Sequence, residues 1–69
     1  MNKFYYISMV QDGNYKIEKV KRLTPVVGLP SHQWRVVFNP ESEHRQFSSC
    51  YDRKYLVKAL INKLQKGIA

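Results

Sequence analysis

A chain of 69 residues, 43% hydrophobic and 25% charged, has room for one small domain and the composition of a folded rather than a disordered one. Twelve Lys and Arg against five Asp and Glu leave a formal net charge of +7, which attracts polyanions and opposes compaction by self-repulsion. A single cysteine, Cys50, excludes an internal disulfide, and one Cys with two His falls short of a tetrahedral zinc set unless carboxylates complete it.

No cofactor is expected. No stretch is long enough to cross a bilayer, and Met1-Asn2-Lys3 followed by Phe4 to Val10 has no cleavage signal after it. A lone thiol suits a reducing compartment, so a cytoplasmic protein without a membrane partner is expected. A core this small, without a covalent staple, also leads us to expect a homodimer.

In chain order, residues 3–10 are dense in β-formers, with apolar or aromatic groups on both faces, and read as a strand. Gln11-Asp12-Gly13-Asn14 supplies a turn that accepts positive φ. Tyr15 to Leu23 reads as a second strand whose alternation shifts from Tyr15 and Ile17 to Val20, which a bulge near Glu18–Lys19 would reconcile. Residues 3–23 thus form a first hairpin. Pro25, Gly28 and Pro30 make 24–31 a linker.

Residues 34–49 form a second hairpin, opened at its turn by Asn39-Pro40. Trp34, Val36 and Phe38 share one face, Arg35 and Val37 the other. In the partner strand Arg45, Phe47 and Ser49 oppose Gln46 and Ser48.

The last element is a helix over 52–66. Ser49 to Asp52 has capping-box spacing, with Asp52 as N-cap. Leu56, Val57, Leu60, Ile61, Leu64 and Ile68 fall in an arc of about 140°, while Gly67 stops the helix and Lys63 and Lys66 suit its negative end. The fold class that follows is α+β: an antiparallel four-stranded sheet of two hairpins, with one C-terminal helix packed on one face.

A helix on one side leaves a sheet face open. Strand positions pointing away from it draw on Lys16, Lys19, Lys21, Arg22, Arg35, Arg45 and Gln46, with Tyr5, Tyr6 and Tyr15 as stacking groups. Cations neutralise phosphates and aromatic rings stack on bases, so the preferred reading is a nucleic-acid-binding protein, DNA before RNA. The bland alternative is a solvated basic face whose tyrosines finish the core. A protein-binding module or inhibitor from a phage or mobile element, with an acidic partner, is the main competitor. His32, His44 and Cys50, with Asp52 nearby, are the residues a small toxin-type ribonuclease would use, but spacing alone does not bring them together, and no enzyme is expected.

The run Trp34-Arg-Val-Val-Phe-Asn-Pro-Glu-Ser-Glu-His-Arg-Gln-Phe-Ser-Ser49, followed by a helix, resembles the last part of a three-stranded-sheet-plus-helix DNA-binding domain. That domain is shared by plant GCC-box-binding factors and the arm-binding domains of phage tyrosine integrases. The likeness covers about residues 34–66. It implies a sheet that enters the major groove, with Arg35 and Arg45 on bases or phosphates. The N-terminal half is longer than that family's single short first strand, and 25–31 replaces its usual short turn. Two hairpins and a helix also occur in small single-strand DNA binders with a curved four-stranded sheet.

Overall fold

Two helices flank three consecutive strands along residues 3–67, the part of the chain described by the computed structural model. They are α1 (Lys3–Gln11), β1 (Tyr15–Lys21), β2 (His32–Phe38), β3 (Gln46–Phe47) and α2 (Lys54–Gln65). The strands form an antiparallel sheet in the order β1-β2-β3, so the α+β class stands with three strands and two helices.

The expected first strand is a helix. Tyr6, Ile7, Met9 and Val10 all pack in the core, a set that one helical face supplies. Bulky β-formers lower the helix propensity of this stretch by tenths of a kcal/mol per residue, and full burial of Val10 with partial burial of Tyr6, Ile7 and Met9 outweighs that. The expected Gly13 turn is the end of this helix. Asn14 N–H donates to the Met9 carbonyl (2.7 Å) and Gly13 N–H to the Val10 carbonyl (3.1 Å), with Gly13 at φ +75. That pair of bonds is the Schellman motif, which needs a left-handed residue where glycine stands.

With 3–10 helical, 3–23 is not a hairpin. β1 pairs instead with β2 across residues 22–31, making the expected linker a hairpin loop. The register runs unbroken from Tyr15↔Phe38 to Lys21↔His32, so the expected bulge at Glu18–Lys19 is absent. Tyr15 and Ile17 face the helices, and Lys19 and Lys21 continue the same face; the apolar pattern stops there because the core stops, not because the strand changes phase.

β2 is the central strand. Its Trp34, Val36 and Phe38 point to the helices, and Val36 and Phe38 join Val10, Val57, Ile61 and Leu64 in the buried cluster. The helical stripe is thus largely as expected, except that Leu56 is exposed and Ile68 lies outside the described residues. β3 is shorter than the strand expected to Ser49. Beyond Phe47, the Val36 N–H donates to the Ser48 hydroxyl (2.8 Å) rather than to a carbonyl, and the ladder resumes only as a Trp34↔Tyr51 bridge.

Helix α2 starts at Lys54, with Arg53 as an extended N-cap making no side-chain capping bond, so neither the capping box nor Asp52 caps it. Its far end is as expected: Gly67, at φ +78, donates to the Leu64 carbonyl (3.0 Å).

Two substitutions test this arrangement. Gly13→Ala puts a methyl in open space but forces alanine to φ +75, so a loss of about 1 kcal/mol in urea unfolding is expected. Ile61→Ala empties part of the core and should cost about 2–5 kcal/mol in the same assay. A neutral Gly13→Ala would contradict the helix stop.

Candidate functional site

The β1–β2 ribbon is longer than the core that supports it. Its residues packed with the helices are Tyr15, Ile17, Trp34, Val36 and Phe38. Past them the ribbon continues through Lys19–Lys21 and His32–Gln33, and the Arg22 N–H adds a rung to the Ser31 carbonyl (2.8 Å) before the loop. This overhang is an arm, in a molecule measuring 37 × 26 × 19 Å.

Carboxylates on and beside the ribbon are engaged. Arg35 Nε donates to Glu18 Oε1 (2.8 Å), its direct partner in register, and the Arg35 guanidinium stacks 4.2 Å from the centre of the Phe47 ring. Val37 is buried between Lys16 and Phe47 on the same face. Arg22 pairs with Asp52 Oδ1, and Gln33 Nε2 donates to the same oxygen (3.0 Å). Asp52 therefore ties both strands of the arm to the chain entering α2. Hydrogen bonds from Gln33 and then Arg22, helped by the charges of Arg22 and Arg53, hold its carboxyl below the ordinary aspartate pKa against partial desolvation.

Of the twelve Lys and Arg residues, only Arg22 and Arg35 have an ion-pair partner among the described residues. Lys16, Lys19 and Lys21 of β1 are exposed and lie along the outer edge of the sheet. Lys16 is on the face away from the helices; Lys19 and Lys21 are on the other, with the Lys19 ammonium 5.7 Å from the Trp34 ring centre. Arg45 is exposed in the β2–β3 loop, where it donates weakly to the Pro40 carbonyl (3.4 Å), and Gln46 is exposed on β3.

The expected aromatic sheet face is not assembled. Tyr5 and Tyr6 sit on α1, their rings stacked at 5.5 Å, and Tyr6 lies 4.5 Å from Phe38 at the edge of the core. Tyr15 also packs against the core, on the helix side. An outward position for Tyr5 and Tyr6 depends on a strand alternation that does not exist in α1, whereas Tyr15 is on a strand but on its helix-side face. On the open face the aromatic group is Phe47.

Two features escaped the sequence reading. Leu23, Val26, Val27 and Leu29 of the arm's loop are exposed, although the stretch read as a bare linker. The cations of α2 were legible, since Lys54 and Lys58 fall opposite the apolar stripe; what was missed is that Lys54–Gln65 contains no acidic residue to offset them. Four apolar residues between Thr24 and Pro30 and their flanks were the available signal for the first.

A cleft of about 510 Å³ runs along the open face from Arg35 and Cys50 out to the arm's loop, where Val20, Arg22, Leu23 and Val26 line it. Cys50 makes no hydrogen bond to His32 or His44 among the described residues. The His32 ring contacts the Ser31 hydroxyl (3.0 Å), and His44 lies beside Glu43 in the opposite loop. No group of three or more His, Cys, Asp or Glu among the described residues is placed to hold a metal ion, and no helix there is long and apolar enough to cross a membrane.

Comparison with protein-family models, curated proteins and solved structures gave no match.

The Asp52 brace has a definite pH signature. A carboxyl whose pKa is lowered by folding adds stability that is complete above its unfolded pKa and disappears as pH falls through the folded value. The melting-temperature gap between the wild type and Asp52→Asn should therefore be open near neutrality and close in acid. A gap independent of pH would refute the brace.

Proposed function

We propose that the chain is a nucleic-acid-binding protein, DNA before RNA, whose β1–β2 arm lies along the phosphate backbone. The observation that carries this reading is the charge arrangement. The acids near the ribbon, Glu18 and Asp52, are taken up by Arg35 and Arg22, while Lys16, Lys19 and Lys21 stay exposed along one strand without a carboxylate partner among the described residues. At about 3.4 Å per residue these lysines span roughly 17 Å, a length over which a duplex presents about ten phosphates.

In this reading Lys16, Lys19, Lys21 and Arg45 contact phosphates, and Arg22 and Arg35 mainly shape the arm. Tyr6 and Tyr15 keep the core closed rather than stacking on bases. The order of three antiparallel strands and a following helix is also what the resemblance to GCC-box-binding and integrase arm-binding domains implies, and it supports a role for the sheet in DNA contact.

The competing reading, a module that pairs with an acidic protein, draws on the same cations. Strand addition at the sheet edges is disfavoured, because β1 carries three lysines along its edge and β3 has two residues.

Binding to duplex DNA should be tight at low salt and fall steeply as salt rises, with a log–log slope of about −3 to −4.5 for three to five phosphate contacts. Changing Lys16, Lys19 and Lys21 together to Gln should reduce that slope by about 2.7. Fluorescence anisotropy with duplex and single-stranded oligonucleotides measures both. Absence of binding at low salt, or an unchanged slope in the triple variant, would reject the reading.

A further inference from the structure

The arm ends in a tip that the fold does not use. Leu23 is 99% exposed and Val27 103%, and Val26 and Leu29 are also exposed, so four apolar side chains within seven residues face water. Their solvation gains nothing from folding, since stabilisation follows apolar area removed from water.

The tip nevertheless has a defined shape. The Leu29 N–H donates to the Val26 carbonyl (3.1 Å) and Gly28 is at φ +87, which makes a type II turn with Val27 at its first central position. Pro25 and Pro30 restrict the backbone on both sides, and Arg22 Nε donates to the Pro30 carbonyl (3.0 Å), holding the loop's base closed. The result is a preordered apolar knob on a basic ribbon.

The placement of charge separates the candidate occupants. Lys21, Lys19 and Lys16 recede from the tip along the arm's axis rather than ringing it at one depth. A planar anionic surface approached tip-first would engage mainly the first of them. A polyanion lying along the outer edge of β1 meets Lys19 and Lys21 from one face and Lys16 from the other, while the tip meets its interior.

We propose that the 23–30 loop is a wedge that enters the minor groove of duplex DNA and partly unstacks a base step, while the β1 lysines hold the adjoining phosphates. This rests on the nucleic-acid reading above. Inserted apolar side chains bend DNA by about 20–90°, so the proposal predicts bending where simple phosphate tracking predicts none.

The test is energy transfer between dyes at the two ends of a short duplex, with wild type and the double variant Leu23→Ser, Val27→Ser. Both residues are fully exposed, so an unchanged melting temperature is expected and serves as the folding control. Wild type should bring the ends together. The variant should bind about tenfold more weakly or worse, with the same salt slope and without bending. Binding by wild type without bending, or equal bending by the variant, would overturn the wedge and leave the nucleic-acid reading intact. Absence of salt-dependent DNA binding would overturn both. Partition into phosphatidylserine vesicles by wild type but not by the variant, with no DNA bending, would reassign the tip to a lipid surface.

Discussion

Burial of one face of β2 is the constraint on which the rest of the structure depends. β2 is hydrogen-bonded on both edges, and α1 and α2 close over its Trp34, Val36 and Phe38. Val36 is completely buried and Phe38 nearly so. In a chain this short the apolar material suffices for one such layer and little more. The helices are concentrated on the inner end of β2, and the hairpin's outer end is consequently held by other means.

Those means are polar. Asp52 stands immediately before α2, where a carboxylate would ordinarily cap the helix or complement its dipole. It binds Arg22 and Gln33 instead, leaving the helix with an uncapped start beside Arg53 and Lys54. This is a local conflict: helix stability is sacrificed for a fixed angle between arm and body. Conflicts of this kind are where sequence-level consistency most often yields to a role in function.

Legibility in the sequence followed the strength of periodicity. The stripe Val57, Leu60, Ile61 and Leu64 and the alternation Trp34, Val36, Phe38 each have a single period, and the structure buries most of both sets. Lys3–Gln11 carries apolar groups all round, so neither period dominates, and the β-branched and aromatic content pointed to the wrong element. Gly13 is legible as a positive-φ position, but the same backbone need serves a hairpin turn and a helix stop. The strand cations were legible as belonging to one strand, but their faces were not: without the expected bulge, Lys19 and Lys21 stay in phase with Tyr15 and Ile17 on the helix side, and only Lys16 points to the open face. Pairing of Arg22 with Asp52, thirty residues away, was not, since it depends on how the chain returns past β2. Tyr5 and Tyr6 were lost as stacking groups with the strand that was to present them, and Tyr15 because its face of β1 is the one the helices cover.

Trp34 occupies the join between these two regimes, one side of its indole in the core and the other under the Lys19 ammonium, 5.7 Å from the ring centre. It is the chain's only tryptophan. An ammonium held over the ring perturbs it electrostatically, and an anion recruited by Lys19 alters that field. An anion bound at Lys19 would thereby change the emission of a native chromophore, giving an optical gauge of this charged edge with no dye attached.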